Sequence, residues 1–227
     1  MFYIIGFMPI IKIKRNRGRP FAITLPLNPN SFLIIFLTMI INDFFKNITK
    51  YSDLGKEIYI LPIYGCKFCG YEGMLHRHGY YSRNVITRYY IKRISILRVK
   101  CPSCGKTHAI LPSFLIPYYQ YSLEFIFECL YLSFVMKNSY SKIVNLFNKS
   151  NPKLSFCVSN IYSFKRIMRE NKSIINSFFT NFDDFYHNMD NPSESSILEK
   201  IKSFPRDIFD FNTKYFEIMP SYFFSKS

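Results

Sequence analysis

The sequence predicts an α+β fold, a small β ribbon built around paired cysteines followed by an all-α, helix-turn-helix-like bundle. Three observations predict it. Cys66-Lys67-Phe68-Cys69-Gly70 and Cys101-Pro102-Ser103-Cys104-Gly105 repeat one C-x2-C-G pattern with 31 residues between the pairs. The residues around the first pair alternate as strands do and are punctuated by Gly65, Gly70, Gly73 and Gly79. Beyond residue 119, apolar residues recur at helical spacing instead.

In chain order, residues 1–45 are hydrophobic, interrupted by Lys12, Lys14, Arg15, Arg17 and Arg19 and by Pro20, Pro26 and Pro29. The apolar run Phe32–Ile41 falls short of the roughly 20 residues a membrane span needs. Basic residues precede it as in a signal peptide, but Ile41-Asn42-Asp43-Phe44-Phe45 offers no small-residue cleavage site. No stable membrane span is expected; an interfacial anchor is the alternative reading, and Met39 is an alternative natural start. Residues 46–118 form the ribbon, with strands over Glu57–Ile63 and Tyr89–Val99, the latter placing Ile94 and Ile96 on one face and Arg93 and Ser95 on the other. Residues 119–180 hold three helices. The first is capped by Ser122 and runs to about Lys137, with Leu123, Ile126, Leu130 and Phe134 inward. The second runs from about Ser141 to Asn148. After the breaker Asn148–Leu154, the third is capped by Ser155 and runs to about Asn171, burying Val158, Ile161, Phe164 and Met168. Residues 181–227 form a C-terminal segment whose role the sequence leaves open.

The cysteine spacing carries the chemistry. Two thiolates separated by two residues can face one ion, and the glycine that follows accepts the left-handed backbone such a knuckle requires. Two knuckles supply a tetrahedral four-thiolate shell, so Cys66, Cys69, Cys101 and Cys104 are the expected ligands of one structural zinc ion. A closed shell leaves no position for a reacting group. Disulfides need an oxidising compartment, and a redox C-x2-C does not explain a matched second pair. A four-cysteine iron–sulfur cluster satisfies the same spacing. Cys129 and Cys157 read as buried small side chains in apolar surroundings. His76 and His78 are expected to contact phosphate or to bond within the ribbon, and His108 to cap the loop after the second knuckle.

The charge is uneven. The chain carries net +15, and residues 66–106 hold nine Lys and Arg against one Glu, net +8, whereas residues 172–227 are net −2. The chain has 25 Phe, 18 Tyr and no Trp, an excess we discount as codon bias because Ile, Asn and Lys are plentiful too. That bias spreads lysine evenly, so a peak beside the cysteines points instead to a polyanion, most simply nucleic acid. Arg77, His78, Arg83, Arg88, Lys92, Arg93, Arg98, Lys100 and Lys106 are the expected phosphate contacts. On the third helix, Ser159, Asn160, Ser163, Arg166 and Arg169 fall away from the core and are the expected base-reading face.

The run from Cys66 to Ser122 also carries a family resemblance. The C-x2-C-G pairs, Arg77-His78-Gly79-Tyr80-Tyr81-x-Arg83, Arg98-x-Lys100 before the second pair, Lys106-Thr107-His108, Leu111-Pro112-x-Phe114-Leu115-x-Pro117-Tyr118 and Tyr121-Ser122 resemble an uncharacterised family of bacterial zinc-ribbon proteins. That family is similar in turn to the N-terminal zinc ribbon and helix-turn-helix of insertion-sequence transposases. The resemblance covers about residues 58–170 and implies binding to the terminal repeats of a mobile element. It does not extend to a nuclease, because the roughly 55 residues after the helices are too few for a scaffold that holds two metal ions about 4 Å apart.

The resulting expectation is a cytoplasmic, nucleoid-associated bacterial protein that binds DNA, is not an enzyme, and works as a homodimer or beside a separate transposase. The rival expectations are an atypical transposase using Asp183, Asp184, Asp207 or Asp210, and a ribbon that binds RNA or protein.

Overall fold

Cysteine knuckles cannot close unless strands carry them to one point, and here a four-stranded sheet does so. The computed structural model describes residues 39–42, 46–57, 62–182, 192–219 and 222–224. Among these are strands β1 (Met39–Asn42), β2 (His76–Ile86), β3 (Ile91–Lys100) and β4 (Thr107–Pro112). There are six α-helices: α1 (Ile48–Leu54), α2 (Leu123–Phe134), α3 (Tyr140–Ser150), α4 (Val158–Phe182), α5 (Glu194–Lys202) and α6 (Ile208–Ile218). The expected mixed α+β class is observed. Its order is more interleaved than a ribbon followed by a bundle, since β1 and α1 precede the first knuckle and α6 returns to touch β1.

The sheet runs β1-β4-β3-β2, with β1 parallel to β4 and the remaining pairs antiparallel. Strand β3 explains why a simple alternation is only half the pattern. Ile94 and Ile96 are buried on one face, as expected, but farther along Leu97 and Val99 are buried on the other. The strand therefore changes its buried face along its length, its far end packing toward the cysteines. Strand β2 is an edge with a bulge between Arg77 and Gly79, and of its residues only Val85 is fully buried. Bulges and charges on an edge discourage pairing with other chains.

The expected strand over Glu57–Ile63 is not a strand where it is described: Glu57 ends a 3-10 turn (Gly55–Glu57), and residues 58–61 lie outside the described residues. The apolar run Phe32–Ile41 is described only at its end, in β1, and residues 1–38 lie outside. No helix among the described residues is long and apolar enough to cross a membrane.

Helices α2, α3 and α4 pack pairwise, as a three-helix unit requires. Ser122 caps α2, its Oγ accepting from the Phe125 amide at 3.3 Å, as expected. Ser155 does not cap the third helix. The helix begins at Val158, where the Asn160 Oδ1 accepts the Cys157 amide at 3.0 Å, and it continues to Phe182. Many of the aromatic residues pack in the core: Phe125 stacks on Phe147 with centroids 4.6 Å apart, and Phe156 and Phe164 complete the same cluster. A second cluster joins Phe178, Phe179, Phe204 and Phe211 across α4, the α5–α6 loop and α6. Such pairs add about 0.5–1.5 kcal/mol each beyond area burial. The buried Lys165 is satisfied by the Tyr140 hydroxyl at 2.9 Å and by the Phe134 ring 4.3 Å away.

Candidate metal centre and nucleic-acid interface

The two knuckles have the same local chemistry. Gly70 N–H donates to the Cys66 carbonyl at 2.9 Å and Cys66 N–H to the Tyr71 carbonyl at 2.7 Å. At the second knuckle, Gly105 N–H donates to the Cys101 carbonyl at 3.0 Å and Cys101 N–H to the Lys106 carbonyl at 2.9 Å. Gly70 and Gly105 sit at φ 72° and 70°, in the left-handed region where a side chain is disfavoured. β3 delivers Cys101 and β4 departs after Lys106, so the second knuckle is the turn of the β3–β4 hairpin. The first is closed by the Tyr64–Met74 bridge and enters β2.

The four sulfurs converge within 4.8 Å of one another. Cys66 Sγ lies 3.7 Å from Cys104 Sγ, and Cys69 Sγ lies 3.8 Å from Cys101 Sγ. A tetrahedron with metal–sulfur bonds of about 2.3 Å has edges of about 3.8 Å, so these separations suit one mononuclear ion. They are far beyond the roughly 2.05 Å of a disulfide. A polynuclear iron–sulfur cluster places several irons between its thiolates and spreads them farther apart. The residues present therefore can hold one metal ion. Burial pushes the Cys66 thiol up to about 12 against the amides of Phe68 and Cys69, and burial also raises Cys104. At Cys101 burial raises the pKa, but the amides of Ser103 and Cys104 outweigh it and the thiol is lowered. A bound cation overrides such differences and deprotonates its thiol ligands outright.

His108 is the functional residue that sequence reasoning misplaced. It does not cap a loop; it is fully buried in β4, with Nε2 3.2 Å from Cys66 Sγ. An imidazole N–H at that distance can donate to a metal-bound thiolate and fix its orientation. The available signal was the alternation of β4, which puts His108 on the inward face with Ile110. Lys67 in the first knuckle lies over the Phe216 ring of α6 at 4.4 Å, where burial lowers its pKa against the charge of Glu217. Cys129 is buried as expected, with its thiol pushed up to about 12 by burial. Cys157 is exposed, not buried, because it precedes α4 and its thiol sits 3.0 Å from Ser159 Oγ.

Residues 66–141 match a domain of unknown function, DUF6431. The matched third of the chain opens on Cys66, the first cysteine of the cluster, and closes at the start of α3. No curated protein and no solved structure matches the chain.

The basic residues divide into two groups. Arg83 reaches across to the carbonyls of Ile116, at 2.6 Å, and Tyr119, holding the loop before α2 against β2. Arg88 at the β2–β3 turn pairs with Glu128 at 2.5 Å and donates to Ser150 Oγ at 3.1 Å. Lys92 lies 3.6 Å from Asp53 of α1. Arg77, Arg93, Arg98, Lys100 and Lys106 are exposed, and none has a carboxylate within ion-pair distance among the described residues. Arg98 and Lys100 share one face of β3; Lys100 is in register with His76, and Arg98 donates to Thr107 Oγ1 at 3.1 Å. His78 is exposed at the bulge of β2, and Lys106 lies 5.1 Å from the Phe68 ring. Arg93 is near the opposite end of β3, across from Asn84. On α4, Ser159, Ser163, Arg166 and Arg169 are exposed, as their spacing implied. Arg166 lies 3.6 Å from Glu170 and Arg169 lies 3.7 Å from Glu194, while Asn160 is engaged at the helix start.

Proposed function

We propose that the chain is a zinc-ribbon DNA-binding protein without a nuclease of its own, linked to a mobile element or to gene regulation. The observation that carries this reading is the set of exposed cations on the ribbon with no carboxylate partner among the described residues. Arg98 and Lys100 lie side by side on one face of β3, and like charges so placed cost stability unless an anion joins them. Duplex DNA supplies that anion, with the exposed turns of α4 available for base edges. Zinc is the metal of the four-thiolate site, holding the knuckles that carry Lys106 and the entry to β2. Asp207 and Asp210, the described carboxylates of the rival nuclease reading, are engaged as the cap of α6 and in an ion pair with Arg206.

The test is duplex affinity against salt. Four or five phosphates neutralised give a log–log slope of about −3.6 to −4.5. Arg98→Ala combined with Lys100→Ala is expected to reduce its magnitude by nearly two. A flat salt response sinks the reading. Elemental analysis of the purified chain is expected to give one zinc per chain; iron in its place overturns the metal assignment.

A further inference from the structure

Four tyrosines on the ribbon are exposed: Tyr64, Tyr81, Tyr89 and Tyr118. Tyr118 is 66 % exposed and Tyr81 36 % exposed. Tyr118 also holds φ at 66°, the left-handed region that a non-glycine residue rarely adopts. Strain of that kind persists only where the surroundings enforce it, and it recurs at ligand-binding positions.

The enforcing contact is Arg83. Its guanidinium donates to the carbonyls of Ile116 and Tyr119, which flank Tyr118 on both sides. Tyr81 and Arg83 are two residues apart on β2 and so point to the same face of the sheet. The residue clamping the loop is thus a neighbour of Tyr81, and the clamp brings Tyr118 to the Tyr81 side of the molecule. Tyr119 turns inward instead, its ring 5.2 Å from Phe224 in an edge-to-face contact. Arg98 is in register with Gly79, whose missing side chain leaves the surface between Arg98 and Tyr81 open. Burial raises the Tyr81 pKa against the charge and hydrogen bond of Arg83 and the charge of Arg98, which sets its hydroxyl beside both arginines.

We propose that Tyr81 and Tyr118 form a stacking platform for unpaired bases of single-stranded DNA, whose phosphates run along Arg98 and Lys100. The proposal rests on the DNA-binding reading above and specifies the strand that this face takes. Aromatic rings beside a cationic track suit single strands, because every base has a π-face to stack and the track follows the phosphates. A duplex keeps its bases stacked on one another and offers these rings little.

The experiment uses the full zinc-loaded chain and two fluorescent probes, dT12 and a 12-base-pair duplex, followed by anisotropy. Tyr118→Gly removes the ring while suiting the positive φ, so it avoids the backbone strain an alanine would keep. Tyr118→Gly is expected to weaken dT12 binding about tenfold. Duplex binding should stay within about twofold of the parent, and Tyr118→Phe, which keeps the ring, should bind dT12 like the parent. Tyr81→Ala, on β2 outside the strained loop but beside its Arg83 clamp, should reproduce the selective loss with its thermal midpoint unchanged. If the duplex binds and dT12 does not, or if neither ring variant weakens dT12, the platform is overturned and the proposed function stands. If neither probe binds, both fall. A tenfold preference for U12 over dT12 overturns the assignment to DNA.

Discussion

Replacing Cys101 and Cys104 together by serine removes two of the four thiolates and with them the closed metal shell. Besides the strands that carry them, the knuckles meet through Lys106 over the Phe68 ring and His108 against Cys66; the first is also closed on itself by the Tyr64–Met74 bridge and the Leu75–Ile63 hydrogen bond, and reaches α6 through Lys67 over Phe216. The ligands are deep, with Cys101 at 0 % and Cys66 at 3 % exposure, so their removal disturbs the sheet end that buries Leu97, Val99 and Ile110. Structural zinc binding supplies about 10–16 kcal/mol at neutral pH, against a total stability of about 5–15 kcal/mol for a typical fold. Even half the lower figure, about 5 kcal/mol, lowers the melting temperature of a chain this size by about 10–20 °C. Circular dichroism melts under reducing conditions measure that shift, and amide exchange should show lost protection in residues 62–75 and 101–106. Cys157→Ser, at an exposed position outside the shell, is the control and should melt like the parent. A double variant melting within about 3 °C of the parent, with protection intact, refutes the argument that the ion holds the knuckles.

Three further outcomes are expected. His108→Ala should lower zinc affinity about 10- to 100-fold in competition with a chromogenic chelator, and an unchanged affinity means that its contact with Cys66 does not orient the ligand. Arg83→Lys should cost about 2–3 kcal/mol in urea unfolding despite keeping the charge, since an ammonium cannot span two carbonyls as the guanidinium does; a loss below about 0.5 kcal/mol refutes the clamp. Asp207→Ala should cost about 1–2 kcal/mol through loss of the α6 cap, whose Oδ1 accepts the Asp210 amide at 2.8 Å. Burial alone raises the Asp207 pKa, but the hydrogen bond from Lys46 and the amides of Asp210 and Phe209 hold it below the usual value. Its contribution is therefore fully present above the unfolded carboxylate pKa of about 4 and disappears as pH falls through the lower folded value. The gap between parent and Asp207→Ala in unfolding free energy should close in that acid range, and a constant gap down to about pH 2 counts against the ionised cap.

The four-cysteine cluster was legible because its geometry is local: two residues between thiols and a glycine after them dictate a knuckle wherever the chain goes. Ile94 and Ile96 were legible for the same reason, as alternation within one strand. Strand β1 was not, because its partner β4 lies about seventy residues away and a parallel pairing leaves no turn signature between the strands. Arg83 and Arg88 looked like surface cations because charge in a sequence does not reveal which carbonyls or carboxylates the fold will bring to it. The start of α4 shows a smaller version of the same limit. Ser155 has the right chemistry for a cap, but the helix starts only at Val158, where the Asn160 side chain reaches back from inside the first turn to accept the Cys157 amide.

That division of the basic residues changes what a binding measurement should find. Counted from the sequence, eight Lys and Arg of the ribbon region stand as phosphate contacts, and eight contacts imply a salt slope of about −7. Three of the eight, Arg83, Arg88 and Lys92, are turned onto the loop before α2, Glu128 and Asp53. Breaking those contacts to reach phosphate would cost the protein the interactions that hold its hairpin to its helices. Arg83 in particular cannot leave without releasing the loop that presents Tyr118. The five that remain limit the ribbon's share of the slope to about −4.5. A measured slope near −7 would therefore mean either that the hairpin detaches from the helices on binding or that Arg166 and Arg169 abandon Glu170 and Glu194 to join the interface. Charge-removing variants of the two helix arginines separate these cases, since only the second makes the slope depend on them.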